Sequence, residues 1–187
     1  MRTFQLLVAA FLASLSMDLH AQSGFVDKST DLLCLVPSAT GLVKSIVDKD
    51  IDGLRQIALS SVTGIAVNYG LNAIIGKDRP VMPADPKWSD RHALPSTHSM
   101  AAFDGATFLT KRYGWKWGVP AYAVSTYVAW GRVHTGNHDI WDVLAGAAVG
   151  AGAALIFTHP VMKDKDLTIA PASFGKEGSG LYIALHF

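Results

Sequence analysis

Long apolar stretches separated by short polar segments run through most of the chain. Their length and spacing predict five helices, at residues 30–47, 52–75, 97–113, 117–133 and 140–158. Gly76 is expected to end the second helix, and Ser96 or Thr97 to cap the start of the third. The predicted fold class is therefore all-α, a helical bundle of about five core helices.

The first residues form a segment of a different kind. Arg2 is followed by an apolar run and then by small residues near Ala21, a pattern typical of a secretory signal peptide at residues 1–22. Leu19 stands where a small residue is preferred if cleavage follows Ala21, so an uncleaved anchor stays open. Either outcome predicts an exported protein whose helical domain occupies residues 23–162.

The pattern changes again in the tail, residues 163–187. Leu181, Ile183 and Leu185 alternate with other residues, and glycines before them supply a turn, which predicts a short β-hairpin. One hairpin cannot close a barrel of about eight strands, so the tail does not indicate an outer-membrane barrel.

The chain is apolar overall, and this narrows the possible functions. Its mean hydropathy is +0.26 and its charged fraction 17%, below the roughly 25% of soluble domains, which favours a membrane-seated bundle. Only the second and fifth predicted helices approach the roughly 20 residues of a transmembrane span. A formal net charge of +1 gives no general attraction to nucleic acid. The single cysteine, Cys34, excludes an intramolecular disulfide.

Three polar clusters interrupt the apolar chain, at residues 77–80, 94–98 and 131–142. Each lies at a predicted helix end, so the bundle can bring their arginines, histidines and carboxylates together. A transferring phosphoryl group carries negative charge on its oxygens and needs cations, aligned N–H groups and a nucleophile. The clusters therefore predict an anion site suited to phosphoryl transfer.

The clusters resemble the three-part signature of the phosphatidic acid phosphatase type 2 superfamily, which also contains bacterial acid phosphatases and vanadium-dependent haloperoxidases. The family pattern is K-x6-R-P, then P-S-G-H, then S-R-x5-H-x3-D. The corresponding segments of this chain are Asn72-x6-Arg79-Pro80, Pro95-Ser96-Thr97-His98 and Gly131-Arg132-x5-His138-x3-Asp142. The resemblance implies the family's helical fold and a phosphatase that needs no metal and no cofactor.

The resemblance also implies a role for each matched residue. His138 would attack phosphorus to form a phosphohistidine, and Asp142, four residues further on, would hold its ring in the attacking tautomer. His98 would protonate the leaving oxygen and then activate water. The predicted phosphate-binding residues are Arg79, Arg132, Ser96, Thr97, Lys77 and Asn72.

Three positions depart from the family pattern. Asn72 replaces a lysine and removes a positive charge, for which Lys77 is the candidate replacement. Gly131 replaces a serine, which removes a hydroxyl group from beside the following arginine. Thr97 replaces a glycine and narrows the turn that faces phosphate. Weaker activity or a different substrate therefore stays open.

Other chemistries also stay open. His134, His138 and Asp142 recur every four residues and would bind zinc if they lay on one helix. Gly136 and Asn137 interrupt such a helix. The remaining alternatives are a soluble periplasmic general acid phosphatase, a haloperoxidase, or a non-catalytic phospholipid-binding membrane bundle that lost turnover with the lysine.

The favoured prediction is a metal-independent phosphatase of a phosphomonoester or pyrophosphate, carried by a lipid because small-sided apolar helices suit such a substrate. Phosphatidic acid, phosphatidylglycerol phosphate, undecaprenyl pyrophosphate and lipid A are the candidates. The expected partners are this substrate and the membrane. The expected location is the inner membrane with the site facing the periplasm, or the periplasm itself.

Overall fold

The computed structural model describes residues 22–80, 93–161, 167–173 and 179–185. Six helices account for most of these residues, and we number them in chain order. They are α1 (Gln22–Leu33), α2 (Val36–Val47), α3 (Ile51–Ile75), α4 (Thr97–Tyr113), α5 (Trp115–His134) and α6 (Ile140–Phe157). The described part of the chain is thus mostly helical, as the sequence predicts.

The first predicted helix is wrong in its bounds. In place of one helix at residues 30–47, α1 and α2 together span residues 22–47 and are separated by Cys34 and Leu35. Pro37 explains the break, because it has no N–H to donate to the carbonyl of Leu33 four residues earlier. Within the first turn of α2 the same proline is well tolerated.

The other four predicted helices are present close to their expected bounds. Asp50 caps α3 by accepting a hydrogen bond from the Gly53 N–H at 2.9 Å, and Gly76 ends it at φ 58°, where glycine is favoured. Asp139 caps α6, while the Asp142 carboxylate accepts from the Asp139 N–H. This reciprocal capping box fixes Asp142 in the first turn of α6.

Helix α4 lies at the centre of the bundle and packs against each of the other five. Two glycines of α6 bring its backbone unusually close to α4. A Cβ atom at Gly146 would lie 2.3 Å from the carbonyl oxygen of Ser96, and one at Gly150 would lie 2.1 Å from that of Met100. The small side chains therefore hold the starts of α4 and α6 side by side.

Within the described residues, three stretches are long and apolar enough to cross a membrane: Gly24–Val47, Ile51–Ile75 and Ile140–Phe157. The sequence predicts the last two, whereas the first arises only because α1 and α2 follow each other closely. Much of their apolar surface faces outward, since Val62, Ile74 and Ile156 are all more than half exposed. Such a surface suits a lipid environment.

Two strands follow the helices. β1 (Leu167–Ser173) and β2 (Ser179–Leu185) pair antiparallel, with Leu167 opposite Leu185. Their side chains lie outside the described residues, and the hairpin that the sequence predicts for this tail stays a prediction. The signal peptide also lies outside them, apart from Gln22 in α1. The division at residues 162 and 163 stays a prediction as well.

Candidate active site

His138 lies in the link between α5 and α6 and is 3% exposed. Its backbone N–H donates to the carbonyl of Arg132 at 3.1 Å, which folds the link back onto the end of α5. Its ring Nδ1 lies 2.8 Å from the carbonyl oxygen of Ala93. A carbonyl oxygen can only accept, so Nδ1 carries the proton and Nε2 keeps its lone pair.

Burial, and after it the positive charges of Arg79 and Arg132, lower the pKa of His138 to about 4. A hydrogen bond to Ala93 and the nearby Asp142 carboxylate oppose this shift. The imidazole is therefore neutral at neutral pH, which is the form that can act as a nucleophile.

Asp142 lies beside His138 without bonding to it. Its Oδ2 atom is 3.7 Å from Nδ1 of His138, beyond hydrogen-bond distance, and instead accepts from the Asp139 N–H at 2.9 Å. The hydrogen bond expected between Asp142 and the ring is thus made by Ala93. No sequence signal points to Ala93, because it contributes only a backbone carbonyl.

Lys77 lies on the Asp142 side of the site. Its ammonium group donates to Oδ1 of Asp142 at 2.6 Å and also to Asp139. Burial lowers the pKa of Lys77, but the bonds to these two carboxylates outweigh it and leave the pKa raised. Lys77, which is expected to compensate for the missing lysine, therefore forms ion pairs with two aspartates.

Asn72 lies behind the loop that begins α4 and is 2% exposed. Its amide donates to the carbonyl oxygens of Pro95 at 3.2 Å and Asn68 at 3.1 Å. Asn68, which the sequence analysis does not select, donates to the same Pro95 carbonyl at 3.3 Å and to Oγ1 of Thr97 at 2.9 Å. Asn72 and Thr97 thus support the loop, although both are predicted to bind phosphate.

Ser96 closes this loop against α6. Its backbone N–H donates to the carbonyl of Asp142 at 2.9 Å, and its carbonyl accepts from the Met100 N–H at 3.0 Å. Its hydroxyl is fully buried and has no hydrogen-bond partner among the residues that the structure describes. The loop therefore presents an unused donor beside the first turn of α4.

Arg132 is 4% exposed and is held by two carboxylates of α1. Its Nη1 donates to Asp27 at 2.9 Å and Asp31 at 2.8 Å, while its Nε is buried and has no partner within the described ranges. Nε2 of His98 lies 3.0 Å from the same Asp31 oxygen. The sequence analysis misses both aspartates, although two acids four residues apart share one helix face.

Arg79 follows α3 and acts on both predicted catalytic histidines, since its charge lowers the pKa of His138 and of His98. For His98 the largest cause of the lowered pKa is burial, followed by the charge of Arg132. The two arginines and the two histidines that the sequence predicts for one site are therefore brought together.

Gly131 is required by the packing of α1 against α5. A Cβ atom there would lie 2.5 Å from Cγ2 of Thr30 and 3.1 Å from Cγ1 of Val26. A serine, as in the family pattern, has no room unless α1 moves. The departure at Gly131 therefore follows from the same helix that supplies Asp27 and Asp31.

The single helix on which the zinc alternative depends is not formed. Helix α5 ends at His134 and α6 begins at Ile140, so the stripe of two histidines and an aspartate does not lie on one helix. The ring of His134 instead stacks on Trp130, with ring centroids 4.7 Å apart. Among the described residues, no three His, Cys, Asp or Glu side chains are grouped to hold a metal ion.

Known proteins share both the sequence pattern and the fold. A lipid A 4'-phosphatase of Helicobacter pylori is 30% identical over 157 residues, which cover 81% of this chain and 79% of that protein. The crystal structure of Aquifex aeolicus LpxE superposes with a TM-score of 0.61 at 16% identity, covering 80% of this chain and 92% of that one.

A phosphatidylglycerolphosphate phosphatase of Bacillus subtilis, a transmembrane PAP2 type enzyme, has a TM-score of 0.58 at 24% identity and covers 78% of this chain and 79% of its own. The family model described as the PAP2 superfamily matches residues 53–166, more than half of the chain. The match includes all three motifs, which confirms the resemblance drawn from them. The chain therefore belongs to the PAP2 superfamily and is a phosphoric ester hydrolase.

Proposed function

We propose that the protein is a metal-independent lipid phosphatase, which removes phosphate from a phosphomonoester or pyrophosphate of a membrane lipid through a phosphohistidine at His138. The observation that carries this proposal is the state of the His138 ring. Its Nδ1 proton is engaged by the Ala93 carbonyl, and burial together with two arginines lowers its pKa to about 4. Its Nε2 lone pair is therefore available for attack at physiological pH.

The reaction has two displacements at phosphorus. Nε2 of His138 attacks, the bond from phosphorus to the leaving oxygen breaks, and His98 gives that oxygen a proton. His98 then takes a proton from a water molecule, whose oxygen attacks phosphorus as the bond from phosphorus to nitrogen breaks. Inorganic phosphate is released and both histidines return to their starting forms.

Two buried donors support a phosphate site beside these histidines. Nε of Arg132 and the hydroxyl of Ser96 have no hydrogen-bond partner among the described residues. Buried polar groups in native proteins are normally satisfied, so a ligand with several acceptor oxygens fits this site. The first N–H groups of α4 and the charge of Arg79 add to the attraction for an anion.

The helices support a lipid rather than a soluble substrate. In the part of the chain that the structure describes, three stretches are long enough to cross a membrane, and their outward side chains are largely apolar. The curated relative at 30% identity is a lipid A 4'-phosphatase, so we propose a phosphate ester on a lipid of this class as the first substrate. A soluble acid phosphatase would expose this apolar surface to water, which soluble proteins rarely do over so large an area.

The charges at the two ends of the bundle support a periplasmic site. The end opposite the histidines carries an excess of basic residues, namely Lys44, Lys49, Arg55, Lys111, Arg112 and Lys116. Basic residues next to membrane spans are retained on the cytoplasmic side. We therefore propose that the histidine end faces the periplasm, which agrees with the export signal that the sequence predicts.

The proposal is tested by phosphate release from lipid A, phosphatidic acid and p-nitrophenyl phosphate, with and without EDTA and orthovanadate. We expect lipid to be the better substrate, EDTA to have no effect, and vanadate to inhibit. His138→Ala is expected to abolish turnover, whereas His134→Ala, which removes an exposed ring from the same region, is expected to retain it. Acid quenching with labelled substrate should trap a phosphorylated histidine in the wild type only.

Three results would overturn the proposal. Turnover that survives in His138→Ala excludes the phosphohistidine route, and turnover lost to EDTA indicates a metal. Lipid binding without turnover on any substrate supports the non-catalytic alternative, which the asparagine at position 72 keeps open.

A further inference from the structure

One oxygen of Asp31 bridges two residues of the proposed site. Its Oδ1 lies 2.8 Å from Nη1 of Arg132 and 3.0 Å from Nε2 of His98. Asp27, one helical turn earlier, accepts from the same Nη1 at 2.9 Å and from the Asn137 amide at 2.6 Å. Helix α1 thus contributes two carboxylates to a site whose three family motifs lie elsewhere in the chain.

The packing of α1 fixes the place of these carboxylates. Thr30 fills the space above Gly131, and the Ser29 hydroxyl lies 3.0 Å from the hydroxyl of Tyr127 on α5. Because Thr30 and Asp31 are neighbours on one short helix, a shift of the Asp31 backbone would also break the contact with Gly131. The bridge is therefore part of the interface between α1 and α5.

Negative charge beside a phosphate site opposes substrate binding, so these aspartates need another role. His98 must carry a proton to protonate the leaving oxygen, yet burial and the charges of Arg132 and Arg79 all lower its pKa. Asp31 and, more weakly, Asp27 act in the opposite direction. These two carboxylates therefore limit how far the pKa of His98 is lowered.

On these grounds we propose that Asp31 is a positioning residue for the acid–base chemistry of His98, holding Nε2 of the ring and Nη1 of Arg132 on one carboxylate oxygen. This inference rests on the proposed function. The bond to Asp31 occupies Nε2, which leaves Nδ1 to exchange a proton with the leaving oxygen or with water. The same carboxylate holds Nη1 of Arg132, and the Nε of this arginine, unpartnered among the described residues, is available to a phosphate oxygen.

Asp31→Asn tests this inference, because it keeps the shape and one acceptor oxygen but removes the charge. We expect kcat to fall about tenfold at pH 7 with KM unchanged or lower, and the basic limb of the kcat profile to move about one pH unit lower. Asp31→Glu, which keeps the carboxylate, should restore most of kcat. Lys28→Gln, which removes an exposed charge from the same helix, is the matched control and should leave the profile unchanged.

A second measurement does not need turnover. Histidines labelled with ¹³C are titrated by NMR in detergent, and the His98 signal is assigned by its loss in His98→Gln. We expect a lower His98 pKa in Asp31→Asn than in the wild type. An unchanged His98 titration overturns the inference whatever the activity.

The outcomes separate this inference from the proposed function. A wild type without phosphatase activity whose His98 titration still responds to Asp31→Asn overturns the function and not the link between the two residues. An active enzyme whose kcat/KM rises in Asp31→Asn shows that the carboxylate competes with the substrate phosphate. That result overturns the positioning role.

Discussion

The backbone carbonyl of Ala93 lies 2.8 Å from Nδ1 of His138, nearer to this nitrogen than Oδ2 of Asp142, which lies at 3.7 Å. A main-chain group therefore sets the tautomer of the proposed nucleophile. Ala93 also donates its own N–H to the carbonyl of Lys77 at 3.1 Å, so this short segment is anchored on both sides. The orientation of the His138 ring therefore depends on the backbone conformation of Ala93, just before the loop that begins α4.

This geometry predicts a graded effect for Asp142→Asn. The ring stays held by Ala93, while the variant removes a negative charge that lies 3.7 Å from Nδ1 and also pairs with Lys77. We expect kcat to fall about 10- to 100-fold, the loss typical of removing one electrostatic contribution, and to stay well above that of His138→Ala. Equal losses in the two variants, measured at matched thermal stability, would mean that Asp142 itself fixes the ring.

Lys77→Gln is predicted to affect stability more than substrate binding. Asp142 is fully buried and would lose its cationic partner, although Lys77 is 31% exposed and its contribution is partly screened. We expect the free energy of unfolding to fall by about 1–2 kcal/mol, with KM for the substrate nearly unchanged. If Lys77 instead binds phosphate, KM rises severalfold while the melting temperature in detergent stays the same.

The pH profile of kcat/KM is predicted to be bell-shaped, with its maximum below pH 7. His138 must be neutral to attack, and its pKa of about 4 keeps it neutral above that pH. His98 must be protonated, and burial with Arg132 lowers its pKa below the ordinary 6.5. Activity should thus rise through pH 4 and fall before pH 6.5. A profile that still rises above pH 7 would exclude His98 as the acid.

The sequence predicts four helices well because their ends carry strong local signals. Gly76 adopts the left-handed conformation that stops α3, and Asp139 forms the capping box that starts α6. The bounds of α1 and α2 are missed because a proline near a helix start breaks one apolar stretch into two. The apolar pattern alone cannot distinguish these cases.

The sequence predicts the residues of the candidate site better than it predicts the contacts between them. The motif spacings predict that His98, Arg132 and His138 lie in one site, but they do not predict the hydrogen-bond partner of each side chain. Lys77 donates to two aspartates, and Asn72 donates to the Pro95 carbonyl, because the fold places these acceptors nearest to them. Asp31 is missed because it lies far from the motifs in sequence, although it lies close to their residues in the fold.

The family serine at position 131 provides a further prediction. Gly131→Ser would place a Cβ 2.5 Å from Cγ2 of Thr30, and because the Thr30 hydroxyl is bonded to the Asp27 carbonyl at 2.9 Å, we expect α1 to move away from α5. That movement would carry Asp31 away from His98 and Arg132. We expect lower thermal stability and kcat, with the basic limb of the pH profile moved to lower pH. Gly131→Ala should behave similarly, because the clash involves Cβ.

A compensating variant separates the clash from the chemistry of the hydroxyl. Thr30→Ala removes Cγ2, which leaves Cβ of this residue at 3.8 Å from the position of the new Cβ; the contact with Cγ1 of Val26 at 3.1 Å remains and requires a shift of only a few tenths of an ångström. We expect the double variant Thr30→Ala with Gly131→Ser to recover most of the stability and kcat lost in Gly131→Ser. Recovery in the double variant shows that α1 packing sets the activity. Persistent loss in the double variant, with full activity in Gly131→Ala, would instead assign the effect to the serine hydroxyl beside Arg132 and not to the packing of α1.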